Sequence, residues 1–383
     1  MGDCGILWES LNTSTNEPLN THERSCKSRL IQIPCGQTRE SRFEKKMVSE
    51  AVERLRKAVG VRMLSNDLTC SAILRLEAVP PYDFALTVHK PAGWSLLTPF
   101  EIFEKGILWT AMRTPSGDVF GMKLKSIGTV GKPAMSCELY SREELGASER
   151  RELLKTIAWM LNLREDIREF YALAKLDPLV KVLVKDLYGM RNTKQPDIFS
   201  RLILAVTLQM APITRSDQMM TLLIREYGER IRFDGKEILY WPSPERIADA
   251  EVGELERKCK LGYRAKFLKG IAETLQAGFP SLQELDKMPA EEAKARLMEL
   301  KGIGEYSADI VSPHPGFALD VWSAKIFGML IFGEEAESPR SAIPKLKKIA
   351  EDRWGHWRGY VFIYVLHDLK NLSSRFNLNL TQV

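Results

Sequence analysis

Long apolar runs are missing from this chain: no stretch approaches the roughly 20 residues that a helix needs to cross a bilayer, which excludes a helical membrane protein. The first residues, MGDCGILWES, lack a basic stretch followed by an apolar one, so no secretory signal is expected there. Cysteine is sparse. Its six copies (Cys4, Cys26, Cys35, Cys70, Cys137, Cys259) are scattered with no Cys-x-x-Cys pair, a pattern that fits reduced thiols better than a disulfide frame or a zinc or iron–sulfur site. Reduced thiols in an intracellular protein without a resident metal are the expectation. No repeat of fixed period is evident, and the composition excludes disordered, collagen-like and coiled-coil chains.

What is present is a large globular chain. Its 383 residues are 44% hydrophobic and 27% charged, enough for a sizeable core and two or three domains. Net charge is +5, and the segment from Arg340 to Val383, with eight basic and three acidic residues, carries an equal excess. A second run, Arg257, Lys258, Lys260, Arg264, Lys266 and Lys269, contains no acid. Clustered positive charge is the footprint of a nucleic-acid binder, because counterion release drives that association. A solvated helix face explains it equally well.

Along the chain, residues 1–63 read as a polar, partly disordered extension in which only SRFEKKMVSEAVERLRKAVG shows a helical face (Val48, Val52, Leu55, Val59). Residues 64–147 read as an antiparallel β domain, from the runs LTCSAILRLEAV, FALTVHK, GILWTAMRT, DVFGMKLKSIG and AMSCELYS, with a hairpin turn at TPSGD. SREE (Ser141 to Glu144) matches a capping box for the helix to follow. Residues 148–383 show three-to-four apolar spacing almost throughout, so an all-helical body is expected. The fold class is α+β.

The stretch LKGIGEYSADI is the most informative. An amphipathic segment runs into Gly302-Ile303-Gly304 and directly into another helix, giving a helix–turn–helix over residues 290–312. Two glycines at that spacing permit a tight turn and leave N–H groups at the second helix start, a place for a phosphate oxygen. A glycine C-cap between two ordinary helices is the plain structural alternative. LKGIGEYSADI followed by LDVWSAKIF resembles the helix–hairpin–helix and aspartate loop of the helix–hairpin–helix DNA glycosylase superfamily. LILAVTLQMAP and LGYRAKFLKGIAE fall in that family's order, and the match covers about Asp197 to Phe332. The preceding sheet resembles the 3-methyladenine glycosylase II and 8-oxoguanine glycosylase branches.

The resemblance implies base-excision repair on double-stranded DNA carrying a damaged base, by a monomer. Asp320 takes the place of the catalytic aspartate, whose carboxylate stabilises positive charge on the deoxyribose as the N-glycosidic bond breaks. Without the resemblance Asp320 reads as the N-cap of VWSAKIFG, and the two roles are compatible. Fourteen positions separate Tyr306 from Asp320, about a helical turn fewer than in the family arrangement. Tyr306 stands where bifunctional members hold a Schiff-base lysine, so base release without strong strand cleavage is implied. Tyr306 and Trp322 are candidates for the base pocket or for the core. Gln209 and Met210 are candidates to fill the gap left by an extruded nucleotide, with a helix-end cap and core filler as their alternatives. Lys301, Gly302, Gly304, Ser323 and Lys325 are candidates for phosphate contacts. Asp309, inside the hairpin's second helix, reads as structural, and His314 as a loop histidine. No cysteine follows Cys259, so no iron–sulfur loop is implied; a monovalent or divalent cation at the hairpin is conceivable only with DNA bound. An alkylated or oxidised purine is the expected substrate. A non-catalytic DNA clamp, a glycosylase for deaminated bases and an RNA-processing factor are the alternatives; the clamp would need neither Asp320 nor Gln209, and the last lacks the stacking aromatics of RNA modules.

Overall fold

In the computed structural model the described residues are 67–89, 99–114, 117–314, 316–333, 338–378 and 380. The expectations for residues 1–63 lie outside them. The first unit is a five-stranded antiparallel sheet in the order β1-β5-β4-β3-β2, from β1 (Thr69–Glu77), β2 (Ile102–Glu104), β3 (Ile107–Arg113), β4 (Val119–Ser126) and β5 (Ala134–Ser141). Both faces are covered. Leu108, Met112, Phe120, Met122, Leu124, Met135, Cys137 and Leu139 pack on one side with helix α2 (Ala147–Met160), while Trp109, Ala111 and Tyr140 join the core of the helical body on the other. Two-sided burial is why these strands read as apolar runs rather than as a clean polar–apolar alternation.

Two local expectations are corrected. FALTVHK is not a strand but helix α1 (Phe84–His89), with Phe84, Thr87 and Val88 buried at helical spacing. Asp83 starts it, accepting from the Leu86 amide at 2.9 Å. In six residues, period-two and period-3.6 patterns overlap too far to separate by eye. SREE does not cap a helix either. Ser141 ends β5, its hydroxyl donating to the Glu143 carbonyl, and α2 begins after Gly146, whose amide donates to Glu149 at 3.3 Å.

The body comprises α3 (Arg168–Leu173), α4 (Pro178–Asp186), α5 (Ile198–Leu208), α6 (Ile213–Tyr227), α7 (Pro244–Ala248), α8 (Val252–Lys258), α9 (Arg264–Gln276) and α10 (Leu282–Leu285). It continues with α11 (Ala290–Met298), α12 (Glu305–Val311), α13 (Val321–Phe332), α14 (Pro339–Trp354) and α15 (Arg358–Phe376). The body is not all-helical as expected: within it lies an antiparallel hairpin, β6 (Glu229–Phe233) and β7 (Lys236–Tyr240). This hairpin fastens the body to the sheet. Trp109 Nε1 donates to Asp234 at 2.8 Å, Arg113 pairs with Glu229 at 2.7 Å, and the Phe233 ring lies so close to Gly121 that a Cβ there would come within 2.5 Å of it.

Two apolar cores organise the body. One holds α5, α6, α9 and the α11–α12 hairpin, including Leu300, Ile303, Ala308 and Val311. The other holds α4 and α13–α15, with Phe317 and Leu319. Ile310 packs against both and Tyr306 against the second, so α12 straddles the seam between them. Among the described residues no helix is long and apolar enough to cross a membrane.

Candidate active site

The α11–α12 turn is built as its glycines require. Gly302 sits at φ +94°, and a Cβ there would approach the Phe267 ring within 2.7 Å, so glycine is needed for backbone conformation and for space. Ile303 is buried and anchors the turn, its amide donating to the Leu300 carbonyl at 2.9 Å. Gly304 caps α12 in an extended conformation, and a Cβ on it would meet nothing within 4 Å. The outer face of the turn is therefore open, with exposed Lys301 beside it. The first amides of α12 have no partner within the helix, as at every helix start.

Asp320 lies at the head of α13 and is its N-cap. Oδ1 accepts from the Ser323 amide at 2.7 Å and from Ser323 Oγ at 2.6 Å, while the Asp320 amide donates to Ser323 Oγ at 2.9 Å. Oδ2 faces the hairpin, where the Tyr306 hydroxyl donates to it at 3.4 Å. Burial, and then the Asp320 charge, push the Tyr306 hydroxyl well above the usual tyrosine range, so it stays protonated and acts as a donor. The preceding loop is held by Phe317, which is buried and stacks edge-on against Phe327 at 4.8 Å and Phe362 at 5.6 Å. The short Tyr306-to-Asp320 connection thus still brings hairpin and carboxylate together.

Other candidates fall differently. Ser323 is 1% exposed and turned to Asp320, so its hydroxyl serves the cap and not a phosphate. Lys325 lies half-buried further along α13, and Trp322 is half-buried against the second core. Gln209 does not project as a plug: its Nε2 donates to the Gly302 carbonyl at 2.7 Å and to Ser307 Oγ at 2.9 Å. Met210, beside it, is 85% exposed at φ +47° and is the residue that stands out from the loop. Asp309 is structural, 2.8 Å from Lys294 and 3.6 Å from Lys347, and these lysines also hold Glu305 at 3.2 and 2.9 Å. His314 Nε2 contacts the Met288 carbonyl at 3.0 Å, tying the loop to the segment before α11.

The basic segments are less available than their composition implies. Lys347 pairs with Glu305 at 2.9 Å, Lys348 with Asp352 at 2.8 Å, Arg353 with Asp177 at 2.7 Å and Arg375 with Asp186 at 2.6 Å. Lys258 pairs with Glu254 at 3.3 Å, and Arg264 is 9% exposed with its guanidinium donating to the Gln209 carbonyl. Counting lysines and arginines along the chain could not show that Lys347, Arg353 and Arg375 find their acids on other elements, while Lys348 and Lys258 find theirs one turn away on their own helices. Phe317, Lys294, Lys347, Arg264 and Ser307 also build the site; the apolar run FAL before Asp320 is the one local signal for Phe317.

No family model matches the chain. It is 29% identical over 163 residues to the DNA-3-methyladenine glycosylase of Bacillus subtilis, a match covering 43% of this chain and 54% of that protein. The chain thus spans about half the length of that relative. Among solved structures, the 3-methyladenine DNA-glycosylase of Archaeoglobus fulgidus superposes with a TM-score of 0.62 at 20% identity, over 79% of this chain and 99% of that one. The 8-oxoguanine glycosylase/lyase of Clostridium acetobutylicum does so with a TM-score of 0.56 at 18% identity, over 79% and 98%. The chain is thus similar in sequence to a 3-methyladenine DNA glycosylase and shares its fold with DNA glycosylases of the 3-methyladenine and 8-oxoguanine kinds.

Proposed function

We propose that the protein is a base-excision repair DNA glycosylase acting on double-stranded DNA that carries an alkylated or oxidised purine. The observation that carries this reading is the Asp320 carboxylate: one oxygen is fixed by the cap of α13 and the other faces the hairpin, 3.4 Å from the Tyr306 hydroxyl. Its relatives' chemistry gives that geometry its meaning. As the N-glycosidic bond of an extruded nucleotide breaks, the bonding pair leaves with the base and positive charge develops on the sugar. A fixed carboxylate beside the anomeric carbon stabilises that charge without reorganisation, and water completes the abasic site.

The turn at Lys301, Gly302 and Gly304, with Lys325, would bind backbone phosphates and so set the register without reading sequence. Met210 would enter the stack vacated by the extruded base. Tyr306 has no amine with which to form an imine, so the reaction would end at the abasic site, unlike that of a glycosylase/lyase. The protein would act as a monomer. The test is a panel of single-lesion duplexes, scored for abasic sites with the wild-type protein and with Asp320→Asn. Release of one damaged purine by the wild type alone supports the reading, and release of no base from any duplex contradicts it.

A further inference from the structure

Three elements meet at Gln209. It ends α5 in an extended conformation, and its side chain reaches residues 93 and 98 positions away, donating to the Gly302 carbonyl at 2.7 Å and to Ser307 Oγ at 2.9 Å. A carbonyl oxygen only accepts, so the amide nitrogen must face Gly302. The Gln209 carbonyl accepts from Arg264, whose guanidinium lies 4.6 Å from the Tyr263 ring centroid. One turn further along α9, Phe267 closes against Gly302. The far side of the loop is held by Ser216, donating to the Thr207 carbonyl at 2.8 Å.

Between these ties stands Met210, 85% exposed and at φ +47°, a backbone region that residues with a Cβ avoid unless their surroundings impose it. Among the described residues its side chain joins none of the apolar clusters; the bonds on Gln209, with the Ser216 tie, hold the loop.

We infer that Gln209 is a positioning residue that ties the Met210 loop to the turn of the hairpin, so that both elements engage a duplex together. The inference deepens the glycosylase reading and rests on it. Gln209 touches no reacting atom. Its work is to make the placement of the protruding methionine depend on the element that would grip the phosphates.

The test uses amide hydrogen exchange on the full-length protein, free and with a 20-base-pair duplex, with or without a lesion. Gln209→Met keeps the shape and removes both donated bonds; Gln209→His restores an N–H at similar reach. In the free protein, exchange across residues 300–308 should run roughly tenfold faster in Gln209→Met, the scale expected for losing such bonds. The β-sheet amides should be unchanged, and Gln209→His should recover most of the protection. With duplex, the wild type should protect residues 209–213 and 300–308 at the same DNA concentration. In Gln209→Met the loop should follow the hairpin only at several-fold higher DNA. Simultaneous protection of both segments in Gln209→Met, or unchanged exchange at 300–308 in the free variant, overturns the inference. If duplex protects neither segment in the wild type, the DNA-binding reading fails instead, and exchange in the free protein alone then decides the tie.

Discussion

The Tyr306 hydroxyl stands 3.4 Å from Asp320 Oδ2, on the side of α12 that packs against the second core of the helical body. Neighbouring turns of one helix could not make this pairing: it joins the first turn of the hairpin's second helix to the cap of the next helix. Because the ring hydroxyl stays protonated, it can orient the carboxylate but cannot act as its base. At 3.4 Å the bond is long, so Tyr306→Phe is expected to slow base release by no more than about tenfold. A single-turnover excision assay measures this, and a loss of a thousandfold or more would give the hydroxyl a larger part than positioning.

The same geometry bears on strand cleavage. The wild-type protein is expected to give no borohydride-trapped complex with a cleavable lesion duplex, and strand breaks only after alkali or heat. Tyr306→Lys should confer trapping if its amine reaches the sugar as the Tyr306 hydroxyl reaches Asp320. Exposed Lys301 beside the turn is the competing amine. Efficient trapping by the wild type that disappears in Lys301→Ala would identify it as the nucleophile and overturn the monofunctional reading.

Binding of duplex should depend on salt less steeply than the basic C-terminal segment suggests. Eight phosphate contacts would give a log–log slope of about −7, whereas the hairpin turn with Lys301 and Lys325 corresponds to two to four contacts and about −2 to −4. The difference arises because Lys347, Lys348, Arg353 and Arg375 are held by carboxylates of the chain itself. A slope of −6 or steeper would mean that those pairs open on DNA.

Asp368, on α15, links stability to pH. Burial first, with the Asp186 charge adding to it, raises its carboxyl from 3.8 to about 6, although Asn371 donates to it at 2.7 Å; Arg375 is held by Asp186. A folded-state value above the unfolded one favours the protonated form. Its contribution is therefore full below about pH 4 and lost as pH rises through about 6. Asp368→Asn should raise the melting temperature by several degrees at pH 8, for a gain of at most roughly 3 kcal/mol, and by little at pH 4. Calorimetry at the two pH values checks it; an equal shift at both would remove ionisation as the cause.

The readable parts of this protein were local. Gly302, Ile303, Gly304 and Asp320 sit in contiguous strings whose backbone demands do not depend on distant residues, and the structure places them as those strings imply. The parts that went unread depend on partners far along the chain. Gln209 reads as a plug, or as a plain helix-end cap, until Gly302, 93 residues on, takes its amide. The Arg353 charge looks available until Asp177, 176 residues earlier, accepts from it. Ser323 fails for a subtler reason: a capping serine and a phosphate-binding serine occupy the same place at a helix start, and only the rotamer separates them. FALTVHK was too short for its period to be read.

Asp320→Asn tests the central claim most directly. Asparagine caps a helix about as well as aspartate, so the α13 cap should survive while the negative charge is removed. In the proposed reaction the carboxylate would act on charge that forms only in the transition state, so its loss should spare ground-state binding. The measurement is single-turnover base release from the best lesion duplex, beside the affinity for that duplex and the melting temperature. The expected result is excision reduced by at least a thousandfold, with affinity within about threefold and melting within about two degrees of the wild type. Excision by Asp320→Asn within tenfold of the wild-type rate, on a folded protein, would contradict the assignment of the chemistry to Asp320.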